Sequence, residues 1–494
     1  MALIPLQIPP GIYRNGTDYQ SAGRWYDANL VRWYENTLRP IGGWRKRSNS
    51  AVTGAARSLL TWRDNSANRL IGIGTHSGLY AMNEGGIVKD ITPAGFTTGR
   101  VDALVKTGYG YGAYGTAAYG IARPDLSGVL PATTWSLDTW GEYLIGCSNA
   151  DGKLYEWQLD FSTPTAAAAI TNAPTSCNAL LSTSERFIFA LGAGGNPRKV
   201  QWCDKEDNTT WTPSTTNEAG DFELQTPGNL LAGKRVRGLH LLWTDVDCHT
   251  ATYVGQPFVY GFEKIGSGCG LISAQSVAVV ADALAIWMSR NGFWIYDGYV
   301  KPLPSDVGDY VYRNINFSQM SKVYAVHNGS FGEVWWFYPS SASNEVDSYV
   351  TFNYRENHWN IGSLARTAGT DRGVFRQPLM ISVDGYVYEH EVGYEYDSAT
   401  VFAESGAFQI GSGENIMNVR ELIPDELTQG DVNVKFKTRY YPNGAETTHG
   451  AYSTANPTSV RFSGRQVAMR VEMASNDDWR VGTMRVDAVA GGRR

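Results

Sequence analysis

The chain has 494 residues and a formal net charge of −6, which speaks against a protein built to grip nucleic-acid phosphates by counterion release, though not against a surface that nucleic acid slides past. No run approaches the roughly 20 apolar residues of a membrane helix, and the start, Met1-Ala2-Leu3-Ile4-Pro5 with Pro9 and Pro10 close behind, lacks the basic opening of a secretory signal. Five cysteines (Cys147, Cys177, Cys203, Cys248, Cys269), an odd number with no Cys-x-x-Cys, argue against a disulfide framework and for a reducing folding compartment.

Residues 1–50 predict an extended arm with a few strands. They hold Trp25-Tyr26-Asp27, Val31-Arg32-Trp33 and the glycine-rich Arg39-Pro40-Ile41-Gly42-Gly43-Trp44. Arg24, Arg32, Arg39, Arg45, Lys46 and Arg47 make this arm basic within an acidic protein. Two readings stay open for them: a charge-matched contact with a neighbouring subunit, or a solvated face. A role in holding DNA is the weaker reading.

Residues 51–394 carry a repeating unit: an apolar run, a glycine-bearing turn, then an alternating aromatic strand. It reads Leu70-Ile71-Gly72-Ile73 with Gly78-Leu79-Tyr80, then Tyr143-Leu144-Ile145-Gly146 with Gly152-Lys153-Leu154-Tyr155. Later copies are Ala285-Ile286-Trp287 with Gly292-Phe293-Trp294, and Leu379-Met380-Ile381 with Gly385-Tyr386-Val387-Tyr388. Each is a β-hairpin. With related strand pairs near Phe187, Leu239 and Val334, the anchors are separated by 74 residues and thereafter by 43–52. That spacing suits one four-stranded blade, and a blade must be covered by neighbours on both faces. The prediction is an all-β chain with an irregular β-propeller of six or seven blades. The wide first gap is filled by a Gly/Tyr-rich insertion at 107–120. Its Tyr109, Tyr111, Tyr114 and Tyr119 lie in a charge-free stretch without a strand-like pattern, read either as a subunit-contact or channel loop or as a self-packed surface loop.

After residue 394 the pattern changes. Val432–Tyr440, Val467–Met473 and Trp479–Asp487 alternate with period two, and Tyr441-Pro442-Asn443-Gly444 marks a turn. Residues 395–494 therefore predict a separate C-terminal antiparallel β-module.

Four stretches carry a resemblance: the arm segments above; Arg198-Lys199-Val200-Gln201-Trp202-Cys203-Asp204 leading to Trp211-Thr212-Pro213 and Ala219-Gly220-Asp221; Gly292-Phe293-Trp294-Ile295-Tyr296-Asp297-Gly298; and Gly464-Arg465-Gln466 leading to Asp478-Trp479-Arg480. In order and spacing they resemble the tail nozzle (tail tube or hub) proteins of short-tailed bacteriophages. The resemblance implies a structural virion protein of the phage tail, assembled in the host bacterial cytoplasm. It implies a homohexameric ring that docks on a tail adaptor ring, carries or contacts fibres or spikes, and encloses the channel for DNA ejection without binding the DNA tightly. It supplies no catalytic, metal or cofactor residues. The Gly/Tyr insertion at 107–120 is a departure, and the resemblance assigns it no role.

Gly266-Ser267-Gly268-Cys269-Gly270 lacks the Lys-Ser/Thr of a phosphate loop and reads as a tight inter-strand turn. Cys248-His249 with His240 offers too few ligands for a tetrahedral metal site. Propellers also house glycan hydrolases, which need two carboxyls across the scissile bond. Asp297, Asp384 and Glu389 near blade turns are the candidates, and turn capping is the plainer reading of an Asp before Gly. A propeller glycan hydrolase, or a saccharide-binding receptor-recognition protein, is thus the alternative to the structural role.

Overall fold

The computed structural model describes residues 2–106, 128–161, 165–410 and 413–492. Among the described residues, seven antiparallel four-stranded sheets follow one another along the chain. They are blade 1 (56–90), blade 2 (135–169), blade 3 (179–223), blade 4 (230–267), blade 5 (277–303), blade 6 (324–363) and blade 7 (366–390). The first strand of each is innermost and touches its counterparts in the flanking blades, and Arg366–Thr370 of blade 7 meets Ala56–Arg63 of blade 1, so the ring is closed. The chain is a seven-bladed β-propeller. Its anchors at Leu70, Leu144, Leu239, Ala285, Val334 and Leu379 fall on the second strands of their blades, and Phe187 lies one residue before such a strand.

Blade 7 draws only three strands from its own span. Its outermost strand is Trp44–Lys46, which pairs antiparallel with Val387–His390 through Trp44↔His390, Arg45↔Glu389 and Lys46↔Tyr388. The ring is thus stapled shut by residues from near the start of the chain, and it reaches beyond 51–394 by that strand.

Glycines set the turns where the backbone demands it. Gly152 (φ +65°) and Gly385 (φ +79°) adopt left-handed conformations; a Cβ would stand 2.5 Å from the Ser176 Cα and 2.7 Å from the Val52 carbonyl oxygen. Tryptophans bind blade to blade, filling the wedge with a large ring and placing the indole N–H on a neighbour's carbonyl. Trp62 donates to Glu142 O (2.9 Å), Trp135 to Thr75 O (2.7 Å) and Trp336 to Ser276 O (2.9 Å).

Two further sheets form the C-terminal β-module. One has the order Ala2–Pro5, Arg485–Ala490, Met417–Ile423, Thr458–Gly464; the other has Trp25–Asn29, Phe402–Ser405, Gln466–Met473, Val432–Arg439, Thr447–Ser453. Both ends of the chain therefore build it. Val432–Arg439 alternates strictly between buried and half-buried, as its sequence predicts. Trp479–Asp487 does not form one strand. Only Arg485–Ala490 is extended in a sheet; Val481 instead bridges to Leu38 of the arm, and the Asp425 side chain accepts from Thr483 N.

Between ring and module lies the arm. Trp25, Leu30, Val31, Trp33, Leu38 and Ile41 are buried in one apolar cluster that runs from blades 5 and 6 into Val434, Phe436 and Phe462 of the module. The insertion between blades 1 and 2 springs from a two-stranded ribbon, Leu104–Lys106 with Gly128–Leu130. Lys322 Nζ holds its base at Asp102 Oδ1 (2.5 Å), and Gln319 exchanges hydrogen bonds with Ala103. Tyr109, Tyr111, Tyr114 and Tyr119 lie outside the described residues.

Candidate functional site

A cluster of buried charge lies at the joint between arm and ring. Val31–Tyr34 pairs with Thr37–Pro40 as a hairpin, which turns the Arg32 side chain inward, where it is 2% exposed. Its guanidinium reaches Glu333 of blade 6 by two bonds of 3.0 Å and Glu391, just past blade 7, by bonds of 2.8 and 2.6 Å. It also lies 3.7 Å above the Phe331 ring. Burial works against its charge, but Glu333 and Glu391 outweigh that and hold it more firmly protonated than a free arginine. The second carboxylate is not left bare: Glu391 also accepts from Gly42 N (2.8 Å) and Asn328 Nδ2 (3.0 Å), and Glu333 from Trp335 Nε1 (2.9 Å).

The closing strand has its own charge clamp. Glu389 accepts from Arg45 Nη2 at 2.8 Å and from Arg47 Nη1. Burial would raise its carboxyl pKa, but hydrogen bonds from Arg45 and Arg47 hold it below the ordinary glutamate value. The Trp44 ring packs on His390 at 5.6 Å while its indole donates to Asp397 (2.6 Å).

A subunit contact and a solvated face were both open for the arm's six cations, and the structure places most of them against partners within the chain. Arg32 is a core residue, and Arg47 is engaged with Glu389 and the Phe375 ring. Arg24 pairs with Asp306 at 3.3 Å, and Arg39 lies 4.4 Å over the Tyr34 ring. Lys46 sits 3.4 Å over Tyr386. Only Arg45 and Lys46 are exposed. Sequence alone could not separate these cases, because the carboxylates that pair with Arg24, Arg32, Arg45 and Arg47 all lie hundreds of residues away.

The carboxylates weighed for hydrolysis are scattered over turns and edges. Asp297 in blade 5 pairs with Lys301 (2.6 Å). Asp384 caps the Gly385 turn, accepting from Tyr386 N (3.1 Å) and Tyr388 OH (2.7 Å), and Glu389 is the clamp just described. His240 contacts Glu185 at 2.8 Å rather than Cys248. All five cysteines are free and buried, and burial pushes the Cys177 and Cys203 thiols up to about 12. Gly266 and Ser267 end the outermost strand of blade 4, and in the loop that leaves it Gly270 packs against backbone, where a Cβ would stand 2.2 Å from Val246 N.

One polar constellation had no sequence signal. At the wall of the central channel His327, on the innermost strand of blade 6, contacts Asp371 at 2.8 Å through Nδ1 and the Tyr354 hydroxyl at 3.0 Å through Nε2. Asp371 also accepts from Gly329 N (3.1 Å). In the neutral ring Nδ1 donates to the carboxylate and Nε2 accepts from the phenol, so the imidazole is clamped between blades 6 and 7. The channel itself is a cavity of about 380 Å³, lined by all seven innermost strands. Among the described residues, no group of three or more His, Cys, Asp and Glu side chains is placed to hold a metal ion.

No protein-family model and no curated protein sequence matches the chain. Solved structures do. A streptogramin B lyase structure aligns with TM-score 0.41 at 8% identity, over 70% of this chain and 96% of that one. The extracellular domain of a putative hybrid two-component system from B. thetaiotaomicron aligns with TM-score 0.44 at 10% identity, over 92% of this chain and 61% of that one. Likeness at this level concerns architecture and carries nothing about chemistry or partners.

Proposed function

We propose that the chain is a structural subunit of a short phage tail, a nozzle or hub protein that assembles as a homohexameric ring around the path of DNA ejection. The observation that supports this reading best is where its resemblance-bearing arm lies. Trp25, Arg32, Trp33 and Trp44 are buried cement between propeller and module, which makes one stiff body of the two. A wall that must keep its shape while DNA passes needs that stiffness and no reacting groups.

The propeller's own channel is not the conduit. A cavity of about 380 Å³ closed in by seven strands has no room for a duplex roughly 20 Å across. DNA would instead run through the bore enclosed by the ring of subunits, past surfaces whose mild acidity keeps it mobile. The ring docks on a tail adaptor, and fibres or spikes are further partners. Native mass spectrometry with negative-stain class averages tests this reading: a six-fold ring supports it, and a strict monomer in the presence of the adaptor ring overturns it.

The alternative, a propeller that cleaves or binds host glycans, draws its support from the Asp371–His327–Tyr354 group at the channel wall. A glycan-array screen and a hydrolase assay on His327→Ala against the parent chain separate it from the structural reading.

A further inference from the structure

The strand that closes the ring rests, on one face, against a buried cation that leans on a histidine. Arg366 opens the innermost strand of blade 7 and His390 ends its third; each is 5% exposed. Arg366 Nε donates to His390 Nε2 at 3.0 Å and Nη1 to Ala365 O at 3.0 Å. Among the described residues its Nη2 has no hydrogen-bond partner. The guanidinium lies 4.7 Å over the Trp44 ring and 5.1 Å over that of Tyr388. Trp44 covers both halves of the pair, since its ring also packs on His390 and its backbone pairs with that residue.

The acidic groups around the pair are engaged elsewhere. Asp397 accepts from the Trp44 indole, and Asp384 from Tyr386 N and the Tyr388 hydroxyl. Glu391 shares a narrow space with His390 and Asn328, but its oxygens accept from Arg32, Gly42 N and Asn328. Glu389 takes the opposite face of the strand, toward Arg45 and Arg47. Blade 6 and the chain past blade 7 add two phenols: Tyr324, which acts on Arg366 electrostatically, and Tyr396, whose hydroxyl donates to Ile41 O.

Because Arg366 can only donate, His390 Nε2 supplies the lone pair and the neutral ring carries its hydrogen on Nδ1. A second proton has one place to go, the nitrogen that Arg366 occupies. It would abolish the hydrogen bond and set imidazolium against guanidinium where burial opposes both charges. We propose that the Arg366–His390 pair is an acid-released latch: a proton on His390 Nε2 takes the acceptor from Arg366 and frees Trp44–Lys46 from blade 7 while the other six blades stay folded. The device lies within one chain and does not depend on ring assembly.

The test is backbone hydrogen exchange of the intact chain, read by peptide mass mapping after the chemical rate at each pH is divided out. An opening that lets His390 titrate near its ordinary value of 6.5 takes up one proton. Its equilibrium constant should therefore rise about thirtyfold between about pH 7.5 and about pH 5.0. That factor should appear in 44–47 and 387–390 and be absent from Val300–Leu303, the outermost strand of blade 5. Glu389 adds nothing over this range, because Arg45 and Arg47 hold its carboxyl below 4.5. His390→Gln, whose amide oxygen accepts from Arg366 without titrating, should lose the factor. In the parent chain alone, an unchanged 44–47 segment or an equal factor in blade 5 overturns the proposal. A folded His390→Gln protein that keeps the factor overturns it as well.

Discussion

Arg32 and Glu391 stand 359 residues apart in the chain and meet as a bidentate pair, Nη1 to Oε2 at 2.8 Å and Nη2 to Oε1 at 2.6 Å. With Glu333 on the guanidinium's other edge, this contact joins the arm to blade 6 and to the chain just past blade 7. Arm and ring are thereby held in one arrangement by a group that water barely reaches.

Replacing Arg32 with Met should be among the most damaging single changes. It leaves two buried carboxylates facing each other, and removing one partner of a buried pair costs about 3–5 kcal/mol. Glu391→Gln should cost less, because Glu333 still balances the guanidinium. Urea unfolding followed by tryptophan fluorescence measures both. Equal losses for the two variants would mean that the pair at Glu391 matters more than the triad.

Trp44→Ala should loosen the ring at its closure. A large buried aromatic lost to Ala costs about 3–5 kcal/mol, and here the loss falls on the strand that completes blade 7. Limited proteolysis should cut within 366–390 sooner than in the parent chain. A protection pattern unchanged there would show that Glu389 with Arg45 and Arg47 holds the strand alone.

Acid should weaken the fold in two stages. Burial lowers the folded pKa values of His240, His358 and His390 below 6.5, helped at His390 by Arg366 and opposed at His240 and His358 by neighbouring glutamates. The unfolded chain takes up these protons near 6.5 and the folded one resists, so this stability is full above pH 6.5 and falls as pH drops below it. Glu389, Glu345 and Glu472 have folded pKa values below 4.5, where arginine and lysine partners outweigh the opposing effect of burial. Their contribution is full above that value and fades as pH falls through the lower folded ones. Melting temperature against pH should therefore decline first below about 6.5 and more steeply below about 4.5.

Much of the ring was legible in sequence. Blade spacing and glycine turns are local signals, and each hairpin joins strands a few residues apart. Closure was not legible, because Trp44-Arg45-Lys46 is too short for any period and its partner strand begins at Val387. The module's use of Ala2–Pro5 and Trp25–Asn29 escaped for the same reason. The clamped His327 carries no motif, since Asp371 and Tyr354 reach it from other strands and turns.

Deleting 107–120 should leave the monomer's melting temperature near that of the full chain. The ribbon beneath it is closed by its own pairing and pinned through Lys322 and Gln319. If the tyrosines serve a subunit contact or the channel, ring assembly should fail while the fold persists. Unchanged assembly and infectivity would sink that role for the loop.

A cryo-EM reconstruction of the assembled protein tests the structural reading most directly. The expected result is a six-fold ring with a bore of roughly 20 Å or more, wide enough for duplex DNA, lined by Asp, Glu and small polar side chains. A chain that stays monomeric on its adaptor, or a ring whose lumen is lined by Lys and Arg, would contradict it.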